Sequence, residues 1–351
     1  MLPLPKGPKG RDEGEVSVVN PTASVVARMI LFVFIAMALV SSSTFASEAR
    51  IDRDTQSGRP ARELIRDPHF RTGFCLIDPK PGKRVEYGRL AGVTNGVAPA
   101  WDLDQWSSRF PLTADPPQTP RPGVQCWTNT GKIITRGDSN AAEADLALAV
   151  NGIVEYGKRA RKMGEPWVHL LVEQSFADPP TLEEVASARL RLKARLLRSE
   201  MHRTDDYSPG LHAAQFQMFL MIQNRNRASP GYGKLVWFGI PLYDDRSRFP
   251  KEHKQQDTGG TAMFIFTPGG EVFADRSAHD RQWISIDKDL RPLFLEALET
   301  AWQRGFLRES RTLSDYRITG MNLGWEVPGL FDVEMQVRDL SLQVELRRIE
   351  Q

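Results

Sequence analysis

Apolar and polar side chains alternate with a period of two along several stretches of the chain. Between residues 188 and 196, Leu190, Leu192, Ala194 and Leu196 interleave with Arg189, Arg191, Lys193 and Arg195. A strand sends successive side chains to opposite faces, so it gathers the four cations on one side; a helix would scatter them around its cylinder. The pattern predicts a strand, against the helix propensity of Arg, Leu and Lys. Residues 214–224 alternate in the same way, with Phe216, Met218, Leu220 and Ile222 on one face and Gln215, Gln217, Phe219, Met221 and Gln223 on the other. Residues 331–337 set Phe331, Val333, Met335 and Val337 against Asp332, Glu334 and Gln336, a closing strand.

Shorter aromatic and β-branched runs at 167–172, 235–240, 263–267 and 283–286 are bounded by turn residues and read as further strands. Residues 147–156 read as a hairpin turning at Asn151 and Gly152. Helical spacing occurs in Leu290, Leu293, Phe294, Ala297, Leu298, Ala301 and Trp302, with Asp289 placed to cap the start and Gly305 the end. The proline-rich stretch 113–123 reads as a loop, since proline cannot donate to a central ladder. Many strands, one helix between late strands and long loops together predict an all-β fold: an antiparallel two-sheet jelly-roll sandwich.

The first 46 residues have a different character. An uncharged apolar run at 30–40 follows Arg28 and gives way to small residues, with Thr44 and Ala46 suited to a cleavage site. This is the pattern of a signal peptide, and the run is shorter than the roughly 20 residues that cross a bilayer. Met29 is an alternative start to Met1. Expected organisation is therefore a leader at 1–46, a flexible lead-in at 47–69 and a single sandwich at 70–347. The destination is the periplasm, cell surface or medium, with no membrane span after cleavage.

Loss of the leader leaves 42 basic and 41 acidic residues, so no broad field attracts nucleic acid. In an oxidising compartment Cys75 and Cys126 can form a disulfide; the alternative is two free thiols. Zinc, EF-hand, P-loop, dinucleotide and nucleophile-elbow motifs are absent from the sequence, so no cofactor is expected; a structural Ca²⁺ in a loop stays open without a location.

The stretch SDYRITGMNLGWEVPGLFDVEMQVRDLSL at 314–342, with GKLVWFGIPLYDDR at 233–246, resembles large β-sandwich modules of exported bacterial polysaccharide-associated proteins. The likeness is to the galactose-binding-like and concanavalin-like patterns and covers about half the chain. It implies a polysaccharide partner, bound on a concave sheet or at the loop rim, and such sandwiches also include lyases and hydrolases.

Sugar recognition needs flat apolar surfaces beside planar donors and acceptors. Candidates are Trp237, Tyr243, Asp244 and Arg246 at a strand end, and Asn322 and Trp325 between turn-forming regions; the competing reading is a solvated acidic turn and a core aromatic. Arg189, Arg191, Lys193 and Arg195 suit an acidic polymer, or else form a solvated face paired with carboxylates. Hydrolysis would call on two of Glu173, Glu200, Asp244, Asp245 and Glu326. A lyase would call on Tyr207, His169 or His212, with His212 and Glu326 the leading catalytic candidates. The leading expectation is a non-catalytic glycan-binding or cell-surface protein. A lyase or hydrolase is the alternative, and a structural envelope protein the third.

Overall fold

A chain with period-two alternation must bury one face of each strand, and the simplest partner for a buried sheet face is another sheet. The computed structural model describes residues 61–348 apart from 81–82, 95, 138–142, 158 and 259. The expected leader, its cleavage point and the choice of start lie outside the described residues.

The first sheet has eight strands. Seven run in the order β15 (Ile284–Asp289), β10 (Val185–Met201), β17 (Phe331–Leu346), β8 (Leu146–Asn151), β7 (Lys132–Gly137), β6 (Val124–Thr128) and β5 (Gln118–Arg121), and β1 (Arg62–Glu63) pairs with the later part of β17. The second sheet has nine, in the order β13 (His253–Gln256), β14 (Phe264–Thr267), β12 (Leu235–Asp244), β11 (Gln215–Asn224), β16 (Tyr316–Val327), β9 (Val168–Ser175), β4 (Trp101–Asp104), β2 (Gly73–Lys80) and β3 (Lys83–Ala91). Pairing is antiparallel except for β12 with β14 and β2 with β4. The fold is thus the expected two-sheet sandwich.

The apolar faces meet between the sheets. Phe216, Met218, Leu220, Ile222, Leu323 and Trp325 from the second sheet join Leu190, Leu192, Ala194, Val333, Met335 and Val337 from the first in one core. Polar bonds also cross the gap: Trp325 Nε1 donates to Leu148 O at 2.9 Å, and Tyr243 OH donates to Ser199 Oγ at 2.8 Å. The helix α2 (Arg291–Gln303) closes one side, its Phe294 ring edge-on to Phe238 at 4.9 Å. It begins at Leu290 without a side-chain cap, while Asp289 Oδ1 accepts from the N–H of Arg291 and of Ala188, tying the helix start to β10.

Several expectations are corrected. The hairpin at Asn151 and Gly152 is instead a strand running into the one-turn helix α1 (Gly152–Tyr156), with Asn151 Oδ1 accepting from Val154 N. Gly152 lies so close to β17 that a Cβ would sit 2.3 Å from Phe331 O. The proline-rich stretch is partly ordered as the exposed strand β5, at a sheet edge where proline is tolerated. Within the expected lead-in, β1 pairs with β17, and Leu64 and Ile65 enter the core. Asp287, Asp339 and Glu143 pair with the cationic row: Arg189 and Arg191 meet Asp287, Lys193 meets Asp339 at 2.8 Å, and Arg195 meets Glu143. That row is a salt-bridged solvent face.

The expected disulfide is absent: Cys75 and Cys126 are free thiols. Their neighbours explain why. Phe74 and Trp127 meet edge-on inside the core at 6.1 Å. Alternation then turns Cys75 and Cys126 to opposite outer faces, separated by a sandwich about 10 Å thick between sheets.

Trp325 fills the core completely and caps a carbonyl across the sheets. Trp325→Ala is expected to lower stability by about 3–5 kcal/mol, from the cavity and the lost bond to the Leu148 carbonyl. Denaturant unfolding followed by circular dichroism measures it; a change below about 1 kcal/mol would contradict this packing.

Candidate functional site

With Phe216, Met218, Leu323 and Trp325 turned inward, their sequence neighbours form the outer face of the second sheet. The strand registers arrange these neighbours in rows. Asp104, Leu171, Gly324 and Gln217 stand side by side across β4, β9, β16 and β11. One row along lie His169, Glu326 and Gln215; on the other side lie Asp102, Glu173, Asn322 and Phe219. Gly324 is the centre. Its φ is 155°, and a Cβ there would stand 2.1 Å from Leu170 O, so only glycine fits and the floor carries no side chain.

Beside this floor, in the row of His169, is an aromatic group. The His169 ring lies between Trp106 and Trp167, with centroids at 5.3 and 5.4 Å. Trp106 is 40% exposed, and Arg161 sits over the Trp167 ring at 5.3 Å. His169 Nδ1 is 2.9 Å from Trp167 O. A carbonyl only accepts, so Nδ1 carries a proton, and Nε2 faces Glu326 Oε2 at 3.6 Å.

Glu326 is held from three directions. Trp167 Nε1 donates to Oε2 at 3.0 Å, Gln217 Nε2 donates to Oε1 at 2.9 Å, and His169 supplies the third contact. Burial opposes its charge, yet the bonds from His169, Trp167 and Gln217 hold it below the usual carboxylate range. It is an ionised carboxylate at neutral pH.

Asp104 and Glu173 behave oppositely. They are diagonal neighbours on β4 and β9. Burial first, then the charge of Glu173, pushes Asp104 up to about 8, and burial raises Glu173 as well. The pair therefore retains a proton. The Trp106 indole opposes the rise at Asp104, and Arg84 forks onto the adjacent Asp102 at 2.6 and 2.9 Å.

Of the residues singled out in the sequence, Glu326, Asn322, Glu173 and His169 come together here, and Trp237 stands farther along the same face. Its Nε1 donates to Thr261 Oγ1, and its ring meets Phe219 edge-on at 6.1 Å. Others are elsewhere. Trp325 and Tyr243 are core residues, out of reach of any ligand. Asp244 continues the row of His169, Glu326 and Gln215 onto β12, but Arg246 forks onto it at 2.6 and 2.8 Å and Gln215 donates to the same carboxylate, so it is internally satisfied. Asp245 accepts from Ala214 N at 2.7 Å and is pushed to about 6, chiefly by burial.

His212 is buried and committed at both nitrogens: Nδ1 accepts from Ser208 N at 3.0 Å and Nε2 donates to Arg161 O at 2.7 Å. It holds loops together, with the Tyr207 ring tilted over it at 5.6 Å, and is not an available base. Arg191 and Lys193 lie on the far side of the sandwich. Glu200 meets His202 and Asp332 with ligand atoms within 4.8 Å of one another, a grouping able to coordinate a cation; His202 Nε2 and Asp332 Oδ2 pair at 3.0 Å.

Asp104, Trp106, Trp167 and Gln217 were not singled out. A signal existed: WDLDQW at 101–106 and WVHLLVEQ at 167–174 both place ionisable groups at alternate positions in an apolar run.

Asp104 binds a proton more tightly folded than unfolded, where its value is about 3.9. Its stabilising contribution is present at low pH and is lost as pH rises from about 4 through about 8. Asp104→Asn, which mimics the protonated form, should match the parent in melting temperature near pH 5 and exceed it near pH 9. A constant difference across that range would show that Asp104 ionises freely.

No protein-family model matches the chain, and no curated protein matches it. Solved structures similar to it include the endoglucanase cel12A from Rhodothermus marinus, at 11% identity and a TM-score of 0.34 over 64% of this chain and 93% of that one. A native family 12 xyloglucanase from Bacillus licheniformis has 12% identity and a TM-score of 0.36, over 69% and 99% of the respective chains. The family 11 xylanase from Neocallimastix patriciarum has 10% identity and a TM-score of 0.33, over 63% and 90%.

Proposed function

We propose that the protein is an exported glycan-binding protein that takes a polysaccharide strand across the outer face of its second sheet. The observation that carries this reading is the Trp106, His169 and Trp167 group on the outer face, one row along from the bare floor at Gly324. Pyranose C–H faces stack on such rings, and Gln217, Asn322 and Glu326 offer planar partners for hydroxyls beside them. Asp102, Asp104, Glu173 and Glu326 share this face, so a neutral glycan fits better than the acidic polymer suggested by the cationic row.

Hydrolysis is the second reading, favoured by the split between a protonated Asp104 and an ionised Glu326. Opposed protonation of two carboxyls on one face is what general acid and general base require. The registers set their Cα atoms about 12 Å apart, two strands across and one row along. Side chains leaning inward from such a span approach the roughly 6.5–9.5 Å of an inverting pair.

The test is retention of the protein on neutral and acidic polysaccharides together with release of reducing ends. Retention on a neutral glycan, weakened about tenfold or more by Trp106→Ala, is the expected result. Product formation abolished by Glu326→Gln would replace the binding reading with the hydrolytic one. Neither retention nor product on any glycan would overturn both.

A further inference from the structure

The loop that carries Trp106 leaves the second sheet at Asp104 and is fastened to the first sheet by a buried ion pair. Lys132 on β7 and Glu155 on α1 have fully buried side chains and bond each other directly. Lys132 Nζ also bonds Ser108 Oγ, Ser108 Oγ donates to Glu155 Oε1 at 2.9 Å, and Arg109 N donates to Glu155 Oε2 at 2.8 Å. Gly131 leaves the necessary room, since a Cβ there would stand 2.6 Å from Glu155 Oε1. Asn129 Nδ2 donates to Phe110 O at 2.9 Å and Pro111 O at 3.1 Å, and Gln105 closes the loop on itself by exchanging bonds with Leu112.

Removing an ion pair of this kind from water is expensive, and well-packed apolar residues of similar volume commonly do as well or better for stability. Stability alone is therefore a weak reason for Lys132 and Glu155. Their bonds run to the backbone and hydroxyl of one short loop, and that loop carries the exposed indole near its start. Trp106 in turn sets its ring, tilted, 5.3 Å from that of His169 and, through its carbonyl, accepts from His169 N at 2.9 Å.

We infer that Lys132 and Glu155 are positioning residues for the ligand face: they hold residues 105–112 so that Trp106 stands against His169 and Asp104. The consequence for ligand rests on the glycan-binding reading; the consequence for the loop does not.

The experiment pairs Lys132→Met with Glu155→Leu in one chain and follows amide hydrogen exchange by mass spectrometry, alongside retention on the glycan that the parent binds. Exchange protection in residues 105–112 should fall about tenfold or more while β10 and β17 keep theirs, and glycan affinity should fall about tenfold. Ser108→Ala, which leaves the ion pair intact, should give a smaller loss confined to the same loop, and it decides the matter if the double variant does not fold. Unchanged protection of 105–112 in a folded variant, or a loss spread equally through β10 and β17, overturns the inference. If the parent binds no glycan, the binding reading fails and the exchange result still judges the positioning role.

Discussion

Much of this molecule follows from where one indole goes. Trp325 is wholly enclosed between the sheets, its ring against Phe216 and Tyr243 and its N–H bonded to the Leu148 carbonyl of the opposite sheet. Because side chains alternate along a strand, that choice obliges Gly324 and Glu326 to the outer face. The β16 register with β9 and β11 then sets Glu326 beside His169 and Gln215, and Gly324 beside Leu171 and Gln217. A slip of one residue would put the carboxylate in the core and the indole in water. The same interaction that closes the sandwich therefore composes the candidate site.

The site's chemistry depends on neighbours more than on residue type. Asp104, Glu173 and Glu326 are all carboxyls on one sheet face, yet they end in different protonation states. Glu326 accepts from Trp167 and Gln217 and faces the His169 ring, so its charge survives partial burial. Asp104 and Glu173 face each other, and one proton between them is the cheapest solution for two crowded carboxyls. Burial alone would have neutralised all three.

The alternation in residues 188–196, 214–224 and 331–337 made β10, β11 and β17 legible, because each has one wet or amphipathic face and one buried face. The helix at 291–303 was equally legible from its apolar spacing. Strand order was not, since nothing local states that β9 lies between β4 and β16. For the same reason Glu326 and His169 were visible separately and not as a pair. Tyr243 and Trp325 misled because an aromatic beside turn residues reads the same whether it points in or out. The supposed hairpin misled because Asn-Gly suits a tight turn, while here the asparagine caps a helix and the glycine makes room for β17. Asp104 lay in a short run whose meaning depends wholly on the strand beside it.

The proposed binding face poses a mechanical problem: residues that read a ligand must be exposed, and exposed loops are the least constrained parts of a fold. Here the loop bearing Trp106 is tied at its base by Gln105 and Leu112 and at its middle by groups from the opposite sheet, Lys132, Glu155 and Asn129. Ties to a single sheet would let the loop swing about its own strand. Ties to both remove that freedom, because β4 and β7 belong to different layers of one core. An aromatic platform fixed in this way loses little entropy on meeting a ligand, which is where a shallow, open sheet face gains affinity without enclosing what it binds.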